Sequence, residues 1–193
     1  ALADYYQAEV IAGLEDQAFN AAFHFSPQET VVHRTEKRVL LPLAEYLPFS
    51  FLKPLVARYG VTEFYTHGKD SKVFKGKSVS ICYEECFGYL IRQGRLKGAK
   101  LLINVTNDAW YPASRLPQAH FDHGSLRALE NGVPIVRACK TGVTVGIDSL
   151  GRVVDKIEGE KEKDALIFSI NSYSYATLYT FFGDFLIVSL SII

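Results

Sequence analysis

The run Lys100-Leu101-Leu102-Ile103-Asn104-Val105 restricts the fold more than any other stretch. It is apolar without alternation, the pattern of a strand buried on both faces, and such strands belong to sheets covered by helices. A second short apolar strand, residues 78–81, precedes it. Between them, residues 87–96 read as a helix, with Gly98 near its end. Downstream, residues 118–131 read as a long helix stopped by Gly132. Strands follow at 133–138 and 143–148, then a turn at Ser149-Leu150-Gly151-Arg152, and segments 152–157 and 165–170 close the domain. Strands alternating with helices, then several strands in succession, predict a layered α/β sandwich.

The first third of the chain is less regular. Residues 4–16 mix apolar and charged positions and are expected to be helical. Residues 18–25 and 30–34 read as two strands of a hairpin, joined by Ser26-Pro27-Gln28-Glu29, with proline suited to the second turn position. Two prolines make residues 35–48 an irregular loop, and 51–59 reads as a short helix ended by Gly60. Residues 60–77 are polar and carry glycine.

The chain has 193 residues, enough for one sizeable core, and 48% of them are hydrophobic, which argues against disorder. Lys+Arg and Asp+Glu are both 21, so there is no basic stripe and no nucleic-acid footprint. No segment has the order of a signal peptide. The opening Ala1-Leu2-Ala3-Asp4 suggests that the true start lies upstream.

Strand 78–81 stops at Cys82, and Tyr83-Glu84-Glu85 follow at once. That is how a nucleophile is presented at the tip of a strand. A cysteine attacks as its thiolate, which needs a base or a nearby cation, and acyl transfer needs a donor for the oxyanion. Lys37, Glu45, Glu84 and Glu85 are the candidates; Lys37 could equally be a solvated loop lysine. Three cysteines make no disulfide framework, and Cys86 and Cys139 read as small buried hydrophobes. His120 and His123 share a helix face but lack a third ligand, so no metal site is expected. Arg127 and Glu130 are expected to pair structurally.

Several segments, in order, resemble the nitrilase (carbon–nitrogen hydrolase) superfamily, and within it the bacterial apolipoprotein N-acyltransferases. Lys37-Arg38-Val39-Leu40-Leu41-Pro42-Leu43-Ala44-Glu45-Tyr46 is similar to the loop K-x-x-L-V-P-F-G-E-Y. Ile81-Cys82-Tyr83-Glu84 is similar to the nucleophile motif C-Y-E. Asn107-Asp108-Ala109-Trp110 matches N-D-A-W, Arg127-Ala128-Leu129-Glu130 matches R-A-L-E, and Gly142-Val143-Thr144 sits where N-G-V-T is usual. Tyr179 with Gly183-Asp184 resembles the join to a last membrane helix.

The resemblance implies an αββα sandwich of the nitrilase type, incomplete here, followed by the start of a transmembrane helix. Residues 1–175 would be the C-terminal part of the hydrolase domain and 176–193 the start of the membrane helix. It implies a Glu-Lys-Cys triad in which Cys82 carries the acyl group as a thioester and Lys37 stabilises the oxyanion. Glu45 and Glu84 would be supporting carboxylates, Tyr83 would shape the site, and Trp110 would contact lipid or acyl chain or else pack the loop. The triad glutamate has no counterpart in context, since Glu9 and Glu15 lack it. It is expected upstream of Ala1, which would leave the isolated chain inactive. Ala44 replaces the usual glycine, and Lys140-Thr141 replaces the common asparagine pair.

The implied donor is a phospholipid and the implied acceptor an apolipoprotein N-terminus, with no cofactor and no metal. The setting would be the bacterial inner membrane, with the catalytic domain periplasmic. The apolar end, Phe185-Leu186-Ile187-Val188-Ser189-Leu190-Ser191-Ile192-Ile193, is too short to span a bilayer of about 20 residues. It reads either as an element packed on the core or as the opening of a membrane helix. Aromatic residues between 173 and 185 are candidate interfacial anchors or ordinary core residues. A soluble amidase of the same superfamily, or an inactive fragment that only binds lipid or a partner, are the alternatives.

Overall fold

The computed structural model describes residues 2–49, 51, 53–58, 64–109, 114–158 and 165–191. The chain divides into two compact units, residues 1–70 and 71–193.

The first unit is built on a three-stranded antiparallel sheet in the order β1 (Val10–Asp16), β2 (Phe19–Phe25), β3 (His33–Glu36), preceded by the short helix α1 (Leu2–Tyr6). The expected helix over 4–16 is therefore corrected: only its start is helical, and Val10–Asp16 pairs along its whole length with β2. The β-branched and apolar residues Val10, Ile11 and Leu14 find partners across the ladder, and those contacts override a weak helical pattern. The hairpin β2–β3 forms, with its second strand at His33–Glu36 and not at the expected 30–34, Ala22 facing Thr35 and His24 facing His33. The turn closes with Glu29 N–H donating to the Ser26 carbonyl at 3.3 Å. Helix α2 (Lys53–Ala57) lies within the expected 51–59 segment; the expected stop at Gly60 falls outside the described residues.

The second unit holds a six-stranded sheet whose spatial order is its chain order. Its strands are β4 (Val73–Phe74), β5 (Lys77–Ile81), β6 (Leu101–Thr106), β7 (Ile135–Cys139), β8 (Val143–Ile147) and β9 (Val153–Glu158). Strands β5, β6 and β7 run parallel, and the others are antiparallel to their neighbours. Parallel neighbours need crossovers, supplied by α3 (Gly88–Leu96) and α4 (Leu116–Asn131), which also pack on each other. Their apolar sides meet the sheet in a core of Ile91, Ala99, Leu102, Ala128, Val133, Ile135, Val143, Val145 and Ile147. Each large member contributes on the order of 1.5–3 kcal/mol by leaving water. Strand β4 lies in a stretch that reads as loop, because a two-residue strand leaves no periodicity.

Helix α4 ends where the sequence indicates. Gly132 takes φ +59°, and its N–H donates to the carbonyls of Ala128 and Leu129. Residues 165–177 form no regular element, but Phe168 covers Gly146 so closely that a Cβ there would lie 2.2 Å from the ring.

The C-terminal segment folds as two short helices, α5 (Leu178–Phe182) and α6 (Phe185–Leu190), broken at Gly183-Asp184. Arg92 of α3 ties α5 down by donating to the carbonyls of Tyr179, Thr180 and Phe181 at 2.8–3.0 Å. Among the described residues no helix is long and apolar enough to cross a membrane.

Candidate active site

Strand β5 ends at Ile81 and the chain turns at once into a 3₁₀ helix, Cys82–Cys86. The turn is made by Cys82 itself, which has φ +56°. This left-handed conformation is uncommon for a residue with a Cβ, and it places Cys82 at the carboxyl edge of the parallel strands, where open α/β sheets bind ligands. The peptide groups on either side are held. Ile81 N–H donates to Glu84 Oε2 at 2.8 Å, and the Cys82 carbonyl accepts from Asn104 Nδ2 at 2.9 Å. Glu84 is fully buried, so its carboxylate reaches back across the turn instead of into solvent. The Tyr83 ring packs edge-on against Phe87, with ring centres 5.1 Å apart.

Behind the turn lies a group of buried charges. Arg137 of β7 grips Glu85 with Nη2–Oε1 at 2.7 Å and Nε–Oε2 at 2.9 Å, and its Nη1 donates to the Val143 carbonyl at 2.8 Å. Neither side chain is exposed at all. Burial pushes the Glu85 carboxyl up against the pull of Arg137. Burial also works against the Arg137 charge, but the Glu85 carboxylate outweighs it and holds the guanidinium above its ordinary value. Gly124 of α4 makes room for the pair, since a Cβ there would stand 2.9 Å from Arg137 Cδ.

Asp108 adjoins this pair, 3.9 Å from Arg137 Nη2, and accepts from Thr106 Oγ1 at 3.3 Å. His120 Nδ1 lies 2.9 Å from Asp108 Oδ1. Burial alone would push the His120 imidazole down; its hydrogen bonds to Asp108 and to the Cys86 thiol outweigh that and raise it to about 10. His120 is therefore engaged in this ion-paired cluster. Among the described residues no group of three or more His, Cys, Asp or Glu side chains is placed to hold a metal ion. Burial pushes the Cys139 thiol up to about 12, so it stays protonated at neutral pH. Arg127 and Glu130 pair at 2.7 Å, as expected, and Arg127 Nη1 also reaches the Cys86 carbonyl at 3.1 Å.

In the first unit, Lys37 follows β3 directly, and its N–H extends the sheet by donating to the Asn20 carbonyl at 2.8 Å. The side chain is buried, 1% exposed, so it is not a solvated loop lysine. Its Nζ lies 2.8 and 2.7 Å from the two carboxylate oxygens of Glu45. Glu45 also accepts from Leu41 N–H at 2.7 Å and Asn20 Nδ2 at 2.9 Å. The loop that presents it is pinched by a bridge between Pro42 and Tyr46. Glu9, set aside as a base, lies 3.4 Å from His24.

The fold thus brings Lys37 to Glu45, and it places Cys82, Tyr83 and Glu84 on one turn; Trp110 lies outside the described residues. Sequence reasoning missed Asn104, Asp108, His120 and Arg137 as parts of the site's framework. The available signal was polarity in the wrong place: Asn104 interrupts an apolar strand and Arg137 sits inside another.

A family model for carbon-nitrogen hydrolases matches residues 1–179. The apolipoprotein N-acyltransferase of Chlamydia caviae is 39% identical over an alignment covering 100% of this chain and 40% of that protein. The same enzyme of Chlamydia pneumoniae is 38% identical, with 96% of this chain and 38% of the relative covered. The chain therefore spans about 40% of the length of the relatives it matches. Among solved structures, a carbon-nitrogen hydrolase from Helicobacter pylori superposes with a TM-score of 0.63 at 19% identity, covering 84% of this chain and 61% of that one. That likeness shows a nitrilase-type α/β fold. With the match running from residue 1 to residue 179, through the strand, the turn at Cys82 and the helices behind it, the chain belongs to the carbon-nitrogen hydrolase family.

Proposed function

We propose that this chain carries the nucleophile and the lysine of an N-acyltransferase that matures bacterial lipoproteins. Cys82 is the nucleophile. Its sulfur attacks the ester carbonyl of a phospholipid, the C–S bond forms, and the C–O bond breaks, so that the lysophospholipid leaves as an alcohol with the proton. In the second half-reaction the α-amine of an apolipoprotein's lipidated N-terminal cysteine attacks the thioester. A C–N bond forms, the C–S bond breaks, and the thiol regains a proton. Each half passes through a tetrahedral oxyanion, which the Lys37 ammonium stabilises. Glu45 holds that ammonium in place with both carboxylate oxygens, Glu84 fixes the backbone before the nucleophile, and Tyr83 shapes the site beside it.

The observation that carries this reading is the left-handed conformation of Cys82 at the end of a buried parallel strand. Strained backbone of this kind collects at working residues. The relatives' name supplies the reaction class.

A phospholipid donor sets the reaction at a membrane, here the bacterial inner membrane with the catalytic domain on the periplasmic side. Residues 1–175 belong to the catalytic domain, and the chain from 176 onward leads into a membrane helix. The exposed Leu178, Phe181, Phe185, Ile187 and Leu190 support that reading, because large apolar side chains clustered at one end favour lipid over water. The test supplies labelled phospholipid and a peptide bearing a lipidated N-terminal cysteine. Label moving to the peptide amine supports the proposal, and its persistence in Cys82→Ala refutes it. Hydrolysis of simple amides without transfer would favour an amidase.

A further inference from the structure

Cys82 holds a conformation that costs a residue with a Cβ about 1–2 kcal/mol. Such a conformation persists only where its surroundings over-determine it. One restraint comes from the neighbouring strand. Asn104 lies opposite Ser80 in the β5–β6 register, and its side chain reaches along the strand to the turn. Nδ2 donates to the Cys82 carbonyl at 2.9 Å and to Ser80 Oγ at 3.1 Å, so each of its two protons has an acceptor. Ser80 Oγ in turn donates to the Ile103 carbonyl at 3.3 Å.

Asn104 is fully buried. An apolar residue there would suit the sheet and would spare the cost of desolvating an amide. Packing therefore does not call for asparagine in the middle of this strand; the Cys82 carbonyl does. Holding that carbonyl also fixes the plane of the peptide group shared with Tyr83, because the peptide bond does not rotate. Together with Glu84 on Ile81 N–H, it clamps the backbone on both sides of the nucleophile.

We propose that Asn104 is a positioning residue for acyl transfer: its side-chain amide holds the Cys82 carbonyl and thereby fixes the backbone from which the thiol projects. This rests on the reading of Cys82 as nucleophile. Asn104→Leu keeps the branched side-chain shape and removes both donors. The rate of thioester formation from labelled phospholipid is expected to fall roughly ten- to hundred-fold, as misplacement of a reacting group costs. The phospholipid concentration at half-saturation should stay unchanged. Ser80→Ala, which spares the Cys82 contact, should leave the rate close to wild type. A wild-type rate in Asn104→Leu overturns the proposal. So does an equal loss in Ser80→Ala, which would mean that the buried polar pair matters and its contact to Cys82 does not. If Asn104→Leu fails to fold, Asn104→Thr, suited to a strand and too short to reach Cys82, replaces it with the same two outcomes. Thioester that still forms in Cys82→Ala would instead sink the nucleophile assignment, whatever Asn104 does.

Discussion

Glu85 and Arg137 face each other at 2.7–3.2 Å in full burial, one on the turn that carries Cys82 and the other on the strand two places away in the sheet. The pair locks the turn to the sheet through side chains that touch no solvent. A buried pair of this kind is costly to break, because the surviving charge is left without a partner. Glu85→Ala should lower stability by about 3–5 kcal/mol in denaturant unfolding. Replacing both residues with apolar ones of similar volume, as in Glu85→Leu with Arg137→Met, should recover much of that loss. A double variant no more stable than the single one would contradict the account.

His120 sets a pH dependence. Its folded value, about 10, lies above its ordinary 6.5, so the folded state binds the proton more tightly. The stabilisation is complete below about pH 6.5 and is lost as pH rises toward about 10. Thermal stability should therefore decline across that window, and His120→Gln should flatten the decline. The groups around the imidazole that make this so are Asp108 and Cys86, with Glu85 and Arg137 behind them. Carbon-bound proton shifts of His120 that titrate near its ordinary value would contradict the assignment.

Glu45 should matter to rate through Lys37. Glu45→Gln keeps the shape and takes the carboxylate charge away from the buried ammonium. The turnover of acyl transfer should drop on the order of a hundredfold, the scale of a displaced oxyanion donor. Glu36→Gln in the same unit, which loosens the Arg34 pair instead, should leave turnover near wild type. Equal losses in both variants would point to general damage in that unit.

The parts of the fold legible in the sequence were those with local signals. The strand at 101–106 was visible as a mostly apolar run with Asn104 set into it, and the end of α4 as a glycine where the chain must turn left-handed. Strand β1 was not, because a seven-residue strand with mixed polarity gains its pairing from β2, a partner the local pattern does not reveal. Cys82, Lys37 and Glu45 were legible as candidates in an ordered set of motifs, and the contact between Lys37 and Glu45 is the part that the structure shows. The pairing of Glu85 with Arg137 joins residues 52 apart in the chain, and no periodicity carries such a contact. Asp108 was visible only as part of a motif, and its bond to His120 forms once β6 and α4 are brought side by side.

The central claim is that the acyl group travels on Cys82. The direct measurement is mass analysis of the peptide containing Cys82 after incubation with a defined phospholipid and no acceptor. The account predicts that this peptide gains the mass of one acyl chain, that neutral hydroxylamine removes it, and that Cys82→Ala abolishes it. An acyl group found on another residue, or transfer to an acceptor amine that proceeds in Cys82→Ala, would contradict it.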